Sequence, residues 1–104
     1  MIEELNENIK KIIVFESDIR GVGEGLRGNF YAFPTLNKDM ERYSMINLVS
    51  IKDAFYRSAN AHPEYTFLLT KVGCDIAGYP EEDMCLLFQD APENVVLPED
   101  WRVR

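Results

Sequence analysis

The sequence predicts a small α/β domain, with a largely parallel or mixed sheet flanked by helices. Short apolar runs rich in β-branched and aromatic residues alternate with two helical patterns, one long and one short. That order is typical of parallel strands joined by right-handed crossovers. The 104 residues correspond to one domain, 1–104, in which residues 1–10 form an N-terminal lead-in.

The first half of the chain contains two predicted strands. Lys11-Ile-Ile-Val-Phe-Glu16 is a short β-rich apolar run, and it fits a central strand buried on both faces. Four glycines then interrupt the chain between residues 21 and 28. Asn29-Phe-Tyr-Ala-Phe33 is the second strand, closed by a Pro-Thr pair. Residues 36–46 are polar and irregular, which predicts a loop.

The main helix is predicted from Asn47 to Ala61. Apolar residues recur there three and four positions apart, so they line one face of a helix. Ser50 and Asp53 fit a capping box, which predicts that the regular part of the helix begins at Ser50.

A third strand, a glycine loop and a second helix follow. Tyr65–Lys71 has the composition of a strand, and Gly73 and Gly78 bound the loop after it. Pro80 suits the first position of a helix, and the three acidic residues after it suit the positive end of the helix dipole. Residues 94–97 form a last short strand.

Charge and composition exclude several classes of partner. The formal charge is −7, and no basic face is visible that could neutralise the phosphates of DNA or RNA. No apolar run approaches the roughly 20 residues of a membrane span. The acidic N-terminus does not resemble a secretory signal. Cys74 and Cys85 lack metal-site spacing and are expected to be free thiols, which predicts a cytoplasmic protein.

Two glycine-bearing loops follow predicted strands, at residues 17–28 and 72–79. Ligands of α/β sheets bind at the carboxyl ends of strands, so these loops form two walls of one cleft if their strands are neighbours. Gly23-Glu-Gly-Leu-Arg-Gly28 matches GxGxxG, but a strand follows it rather than a helix. We therefore interpret it as a flexible turn, or as a mobile loop in which Arg20 and Arg27 supply charge.

The loop from Gly73 to Gly78 has two readings. Its glycines allow positive φ and close approach of a phosphate to the backbone, but they equally suit a tight strand-to-helix turn. Cys74 is interpreted as structural, because the only histidine, His62, lies in a helix-ending turn and no third group orients a Cys–His pair. One histidine and two separated cysteines do not predict a metal site.

Residues 67–83 resemble the macrodomain segment in which a buried strand enters a phosphate-binding loop of the type S-T-G-I-Y-G-Y-P. They resemble more closely a group of small phage and bacterial proteins. The pattern of that group includes V-F-G-S-N, Y-G-x-G-x-G-L-x-G-x-S-Y-A-I-P-T-K, F-x-V-T-x-I-G-C-G-L-A-G-Y and N-V-x-L-P-E-x-W. The matching segments are Val14–Asp18, Gly23–Thr35, Leu69–Tyr79, Leu86–Phe88 and Asn94–Trp101.

The resemblance implies binding of ADP-ribose or a related nucleotide, and some macrodomains also hydrolyse ADP-ribosyl bonds. Asp18 replaces the asparagine after the first strand, and the glycine-rich helix that normally follows is missing. Because macrodomain hydrolases use both elements around the distal ribose, their loss argues against hydrolysis. Asp75 replaces the second glycine of the phosphate loop, where it would repel a diphosphate unless it points away or hydrogen-bonds to the ligand.

The resemblance therefore implies a macrodomain-like, non-enzymatic protein that sequesters a nucleotide-derived signalling molecule, either an ADP-ribose derivative or a cyclic nucleotide. Such a protein would act as a phage anti-defence sponge in the host cytoplasm, without a cofactor. The alternatives are an ADP-ribosyl hydrolase with an altered site, and a degenerate protein-interaction module. A homo-oligomer would cover the sheet where the helix is missing. The predicted ligand-binding residues are Ser17, Asp18, Arg20, Gly23, Gly25, Arg27, Gly28, Pro34, Thr35, Lys71, Gly73, Cys74, Asp75, Ile76, Ala77, Gly78 and Tyr79.

Overall fold

The computed structural model describes residues 9–17, 25–75 and 77–102. Their five strands form one mixed sheet in the order β2-β3-β1-β4-β5. The strands are β1 (Lys10–Ser17), β2 (Gly25–Arg27), β3 (Phe30–Pro34), β4 (Tyr65–Leu69) and β5 (Val95–Val96). The helices are α1 (Met45–Ala61) and α2 (Glu81–Leu87), and a short 3-10 helix follows at Glu99–Trp101. The predicted α/β fold is confirmed.

Strand β1 lies in the middle of the sheet and pairs in parallel with β3 on one side and with β4 on the other. Ile12 and Val14 point to the face that the helices cover, and both are fully buried. Ile13 lies on the opposite face, in register with Phe30 of β3 and Leu68 of β4. The predicted central position of this strand is therefore correct, but its predicted burial on both faces is wrong, because Phe15 on the opposite face is 40 % exposed.

Strand β2 corrects the interpretation of the first glycine segment. Gly25–Arg27 pairs antiparallel with β3 and forms an edge of the sheet, where the sequence predicted a flexible turn or a mobile loop. Gly28 adopts a φ of +56°, which allows a two-residue connection between the two strands. The short hairpin accounts for two of the glycines in GxGxxG, and Gly23 lies outside the described residues.

Helix α1 begins earlier than its sequence pattern predicts. The side chain of Ser44 accepts a hydrogen bond from the backbone N–H of Asn47, so Ser44 is the N-cap and the helix starts at Met45. The predicted capping box of Ser50 and Asp53 is wrong, because both residues lie inside the helix. A polar cap at position 44 escapes the apolar periodicity that locates the rest of the helix.

The core lies between α1, α2 and one face of the sheet, and Phe55 of α1 is at its centre. The ring of Phe55 lies 4.9 Å from Tyr31, 5.8 Å from Phe67 and 6.4 Å from Phe88, measured between centroids. Trp101 stacks on Phe88 at 6.3 Å and closes the core beyond α2. Buried aromatic pairs of this kind stabilise the fold by more than the area that they remove from water accounts for.

The two α-helices of the described residues lie on the same face for a topological reason. The connections from β3 through α1 to β4, and from β4 through α2 to β5, run across the sheet in the same direction. Right-handed crossovers in one direction place their helices on one face.

The second face of the sheet is apolar. Phe15 and Phe30 meet edge to face at 6.1 Å and remain 40 % and 54 % exposed. Together with Gly25, Arg27 and Ala32 they line a groove of about 430 Å³. Parallel sheets normally bury both faces, so this surface, which we call the open face, departs from the usual pattern.

No helix within the described residues is long and apolar enough to cross a membrane.

We expect Phe55→Ala to lower the free energy of unfolding by about 3–5 kcal/mol, because it removes the ring at the centre of the core. The matched control is Ile46→Ala on the same helix. Ile46 is 82 % exposed, so its truncation should change the free energy by less than about 0.5 kcal/mol. Urea denaturation followed by the fluorescence of Trp101 measures both. Similar losses for the two variants would contradict the assignment of the buried face.

Candidate functional site

The carboxyl ends of β1, β3 and β4 meet at one edge of the sheet. Ser17 is in register with Pro34, and the backbone N–H of Thr35 donates to the carbonyl of Ser17. Thr70 follows β4 and donates to the carbonyl of Val14 through both its N–H and its hydroxyl. Because β1 and β4 are neighbours, the predicted condition for a shared cleft at this edge is met for the strands themselves.

The loop from Gly73 to Gly78 folds back on itself beside this edge. Both glycines adopt a positive φ, +85° and +70°, as a reversal of the chain requires. The N–H of Tyr79 donates to the carbonyl of Gly73 at 2.8 Å, and its hydroxyl donates to the carbonyl of Tyr43. The loop is therefore held at both ends before α2 begins.

The side chain of Glu16 lies inside this loop. One carboxylate oxygen accepts the N–H of Gly73 at 3.0 Å. The other accepts the hydroxyl of Thr35 at 2.8 Å and the N–H of Ala77 at 3.2 Å. Two backbone amides and one hydroxyl thus converge on an anion, and we call these three donors the Glu16 site. The arrangement is that of a small oxyanion site already filled by the chain's own carboxylate.

Sequence reasoning missed Glu16, although a signal was present. The phage and bacterial pattern has a glycine in V-F-G-S-N where this chain has Glu16. A glycine has no side chain that could reach the loop amides, whereas the glutamate brings a carboxylate to them. This departure affects the loop more directly than the three recognised from the sequence.

Arg42 is a second residue that the sequence did not reveal. Its guanidinium donates to the carbonyl of Gly78 at 3.2 Å and lies 4.9 Å from the ring centre of Tyr79. It reaches the loop from the irregular segment between β3 and α1, which carries no motif. The cation–π contact with Tyr79 and the hydrogen bond to the carbonyl of Gly78 both hold the loop in place.

Lys71 is paired rather than free. Its ammonium lies 2.7 Å from Glu81 and 2.6 Å from Asp100. Hydrogen bonds to Asp100 and Glu81 hold the pKa of Lys71 above its ordinary value. The same bonds lower the pKa of Asp100 and of Glu81, which also accepts the indole N–H of Trp101 at 3.0 Å. The predicted phosphate partner is therefore neutralised by two carboxylates.

The cysteines and the histidine do not form a catalytic pair. His62 precedes β4, where it stacks on Tyr65 and contacts Glu64, whereas Cys74 follows the other end of that strand. Burial raises the pKa of the Cys74 thiol, and the charges of Glu81 and Glu16 raise it further, which keeps the thiol protonated. Within the described residues, no cluster of three or more potential ligands could hold a metal ion.

The structure brings some of the predicted residues together and separates others. Thr35, Gly73 and Ala77 meet at the Glu16 carboxylate, and Ser17 and Pro34 lie in register at the ends of the two neighbouring strands. Lys71, Cys74, Asp75, Gly78 and Tyr79 belong to the same loop or flank it. Arg27 and Gly28 lie near the amino end of β3, about 13 Å along the strand from its carboxyl end. Asp18, Arg20, Gly23 and Ile76 lie outside the described residues.

Comparison of the chain with protein-family models, with curated proteins and with solved structures finds no match. The macrodomain resemblance therefore remains a prediction from the motifs quoted above.

The two loop glycines provide a matched pair of substitutions. Alanine at either position must adopt a positive φ, which costs about 1–2 kcal/mol. A Cβ at Gly78 would meet nothing within 4 Å, whereas one at Gly73 would lie 2.7 Å from the terminal methyl of the buried Met84 and 3.2 Å from the ring of Tyr79. We expect Gly73→Ala to destabilise the protein by about 1 kcal/mol more than Gly78→Ala. Equal losses in urea denaturation would contradict the packing of the loop.

The Lys71–Glu81–Asp100 cluster predicts a pH dependence. Because the folded pKa of Glu81 is depressed, its contribution to stability is present above the ordinary carboxyl pKa of about 4 and is lost as the pH falls through the folded value. We expect Glu81→Gln to be less stable than the unmodified chain at pH 7, and the difference to shrink at pH 3. Glu82→Gln is the control. A difference that does not depend on pH would show that the charge of Glu81 is not responsible.

Proposed function

We propose that this chain is a non-enzymatic, macrodomain-like protein that binds and sequesters a nucleotide-derived signalling molecule at the carboxyl edge of its sheet. The observation that supports the proposal is the convergence of Thr35, Gly73 and Ala77 on one carboxylate. Three donors directed at the same anion form a site in which an oxyanion is stable. A phosphate oxygen of an ADP-ribose derivative or of a cyclic nucleotide has the same hydrogen-bonding needs as the Glu16 carboxylate.

Several features support binding without turnover. The Cys74 thiol is kept protonated, and His62 lies at the far end of β4. The donors of the Glu16 site stabilise a fixed negative charge but supply no base. A protein that holds a ligand unchanged needs only such a preformed site, and an anti-defence sponge in a phage-infected cell would be of this kind.

A second candidate function is a protein-interaction module, as in a degenerate macrodomain. The observation that favours it is the open face, with the exposed Phe15 and Phe30 beside an apolar groove. Exposed apolar patches on soluble proteins mark interaction surfaces. The same face would bury its phenylalanines in a homo-oligomer.

Thermal unfolding in the presence of millimolar ligand tests the first function. The panel contains ADP-ribose, its cyclic and amino-acid-linked derivatives, NAD and cyclic oligonucleotides. We expect one class to raise the unfolding temperature, because a ligand that binds only the folded state stabilises it by RT ln(1 + [L]/Kd). The ligand should be recovered intact after the protein is denatured.

The other outcomes are equally informative. Ligand recovered in altered form would support the hydrolase alternative. A panel without any shift would contradict nucleotide sequestration and would leave the interaction module as the better proposal.

A further inference from the structure

The Glu16 carboxylate uses both of its oxygens within the loop. Three hydrogen bonds of 2.8–3.2 Å join it to Thr35, Gly73 and Ala77. The hydroxyl of Thr35 is fully buried, and Gly73 is also buried. A carboxylate with three donors is well satisfied, and its departure would leave those donors without a partner.

The carboxylate also lies where an incoming anion would have to bind. The donors cannot serve two anions together, because the second would lose the hydrogen bonds and meet a like charge at short range. Lys71 does not relieve this repulsion, because Glu81 and Asp100 hold it, and the guanidinium of Arg42 is directed at the carbonyls of Ala77 and Gly78. Glu16 and an external phosphate therefore compete for one place.

We propose that Glu16 is an internal competitor that holds the anion site of this protein closed. A phosphate or carboxylate group of a ligand enters only when the Glu16 side chain turns out of the loop. Glu16 is only part-buried near the end of β1, so part of the residue already contacts solvent. The identity of the natural ligand rests on the proposed function above, whereas the closure by Glu16 does not.

Closure of this kind has a calculable effect on affinity. The apparent dissociation constant equals the intrinsic constant divided by the fraction of molecules in the open state. A site that is open in about 1 % of molecules binds about 100-fold more weakly than one that is always open. Closure by Glu16 thus weakens the binding of every anion, and anions with a weak intrinsic affinity leave the site unoccupied.

Inorganic phosphate is the probe for the test, because it carries none of a nucleotide's other contacts. Unfolding temperatures are measured against phosphate concentration, with sodium chloride at the same ionic strength as reference. We expect Glu16→Ala to bind phosphate at least about tenfold more tightly than the unmodified chain. Glu82→Ala, which removes an exposed charge beside the same loop, should behave like the unmodified chain.

A second substitution locates the phosphate. Thr35→Val removes the hydroxyl donor with little change in shape, so adding it to Glu16→Ala should abolish most of the gain. Thr35→Ser keeps the hydroxyl and should preserve the gain. If the gain survives in the Thr35→Val double variant, phosphate binds elsewhere and the proposal is overturned.

Glu16→Gln covers the case in which the alanine variant does not fold. The glutamine keeps the length of the side chain, but its NH₂ group faces donors, so it should leave the loop more readily than the carboxylate. We expect its phosphate affinity to exceed that of the unmodified chain. Folded Glu16→Ala or Glu16→Gln protein that binds phosphate no more tightly than the unmodified chain overturns the proposal.

The nucleotide panel applied to Glu16→Ala separates the two proposals. Binding of phosphate without binding of any nucleotide would leave the closure intact and contradict the proposed function. Binding of a nucleotide equally well with and without Glu16, while phosphate affinity is unchanged, would support the function and overturn the closure.

Discussion

The carboxylate of Glu16 joins three parts of the chain that are far apart in sequence. It is the last polar group on the helix-covered side of β1, and from there it reaches the end of β3 and the loop after β4. A part-buried carboxylate requires donors, and each backbone amide of a tight loop requires an acceptor. The two requirements satisfy each other here. Together with the contacts of Tyr79 and Arg42, this exchange holds the loop at the carboxyl edge of the sheet.

The one-sided arrangement of the helices follows from a second constraint. Both helical crossovers run in the same direction across the sheet, so they cover the same face. The step from β1 toward β3 runs in the opposite direction, and a helix there would cover the other face. The sequence resemblance places its missing glycine-rich helix at that step. The open face with Phe15 and Phe30 is the face that such a helix would cover.

Much of the fold could be predicted because it depends on apolar periodicity. Leu48, Ile51, Phe55 and Ala59 mark the buried face of α1, and the structure buries all four. Strand β2 escaped prediction because its three residues, Gly25–Arg27, are too few to carry a strand pattern, and only pairing with β3 makes them a strand. The N-cap of α1 escaped because Ser44 and Ser50 are chemically alike, and the chain geometry decides between them. The periodicity of apolar residues predicts which side chains are buried, but it does not predict which polar groups form hydrogen bonds with each other.

The candidate site shows the same limit more sharply. A glycine loop after a strand was recognisable, but whether its amides bind a ligand depends on what else reaches them. Glu16 ends a continuous apolar run as an ordinary polar residue, and nothing local distinguishes a solvent-facing carboxylate from one that turns into a loop 57 residues away. Arg42 is a similar case, because it is distant from Tyr79 in the sequence and only the folded chain brings the two side chains into contact.

The presence of an internal anion changes what a ligand must provide. Exchange of the Glu16 carboxylate for a phosphate replaces one set of charge-assisted hydrogen bonds with another of similar strength, so the phosphate alone contributes little net free energy. The displaced glutamate also remains close by and repels the incoming charge. Affinity must then come from the remainder of the ligand, such as a base that stacks or a ribose that donates hydrogen bonds to exposed carboxylates like that of Asp75. A site built in this way discriminates against inorganic phosphate and simple phosphate esters, and it favours ligands with a large nonphosphate portion.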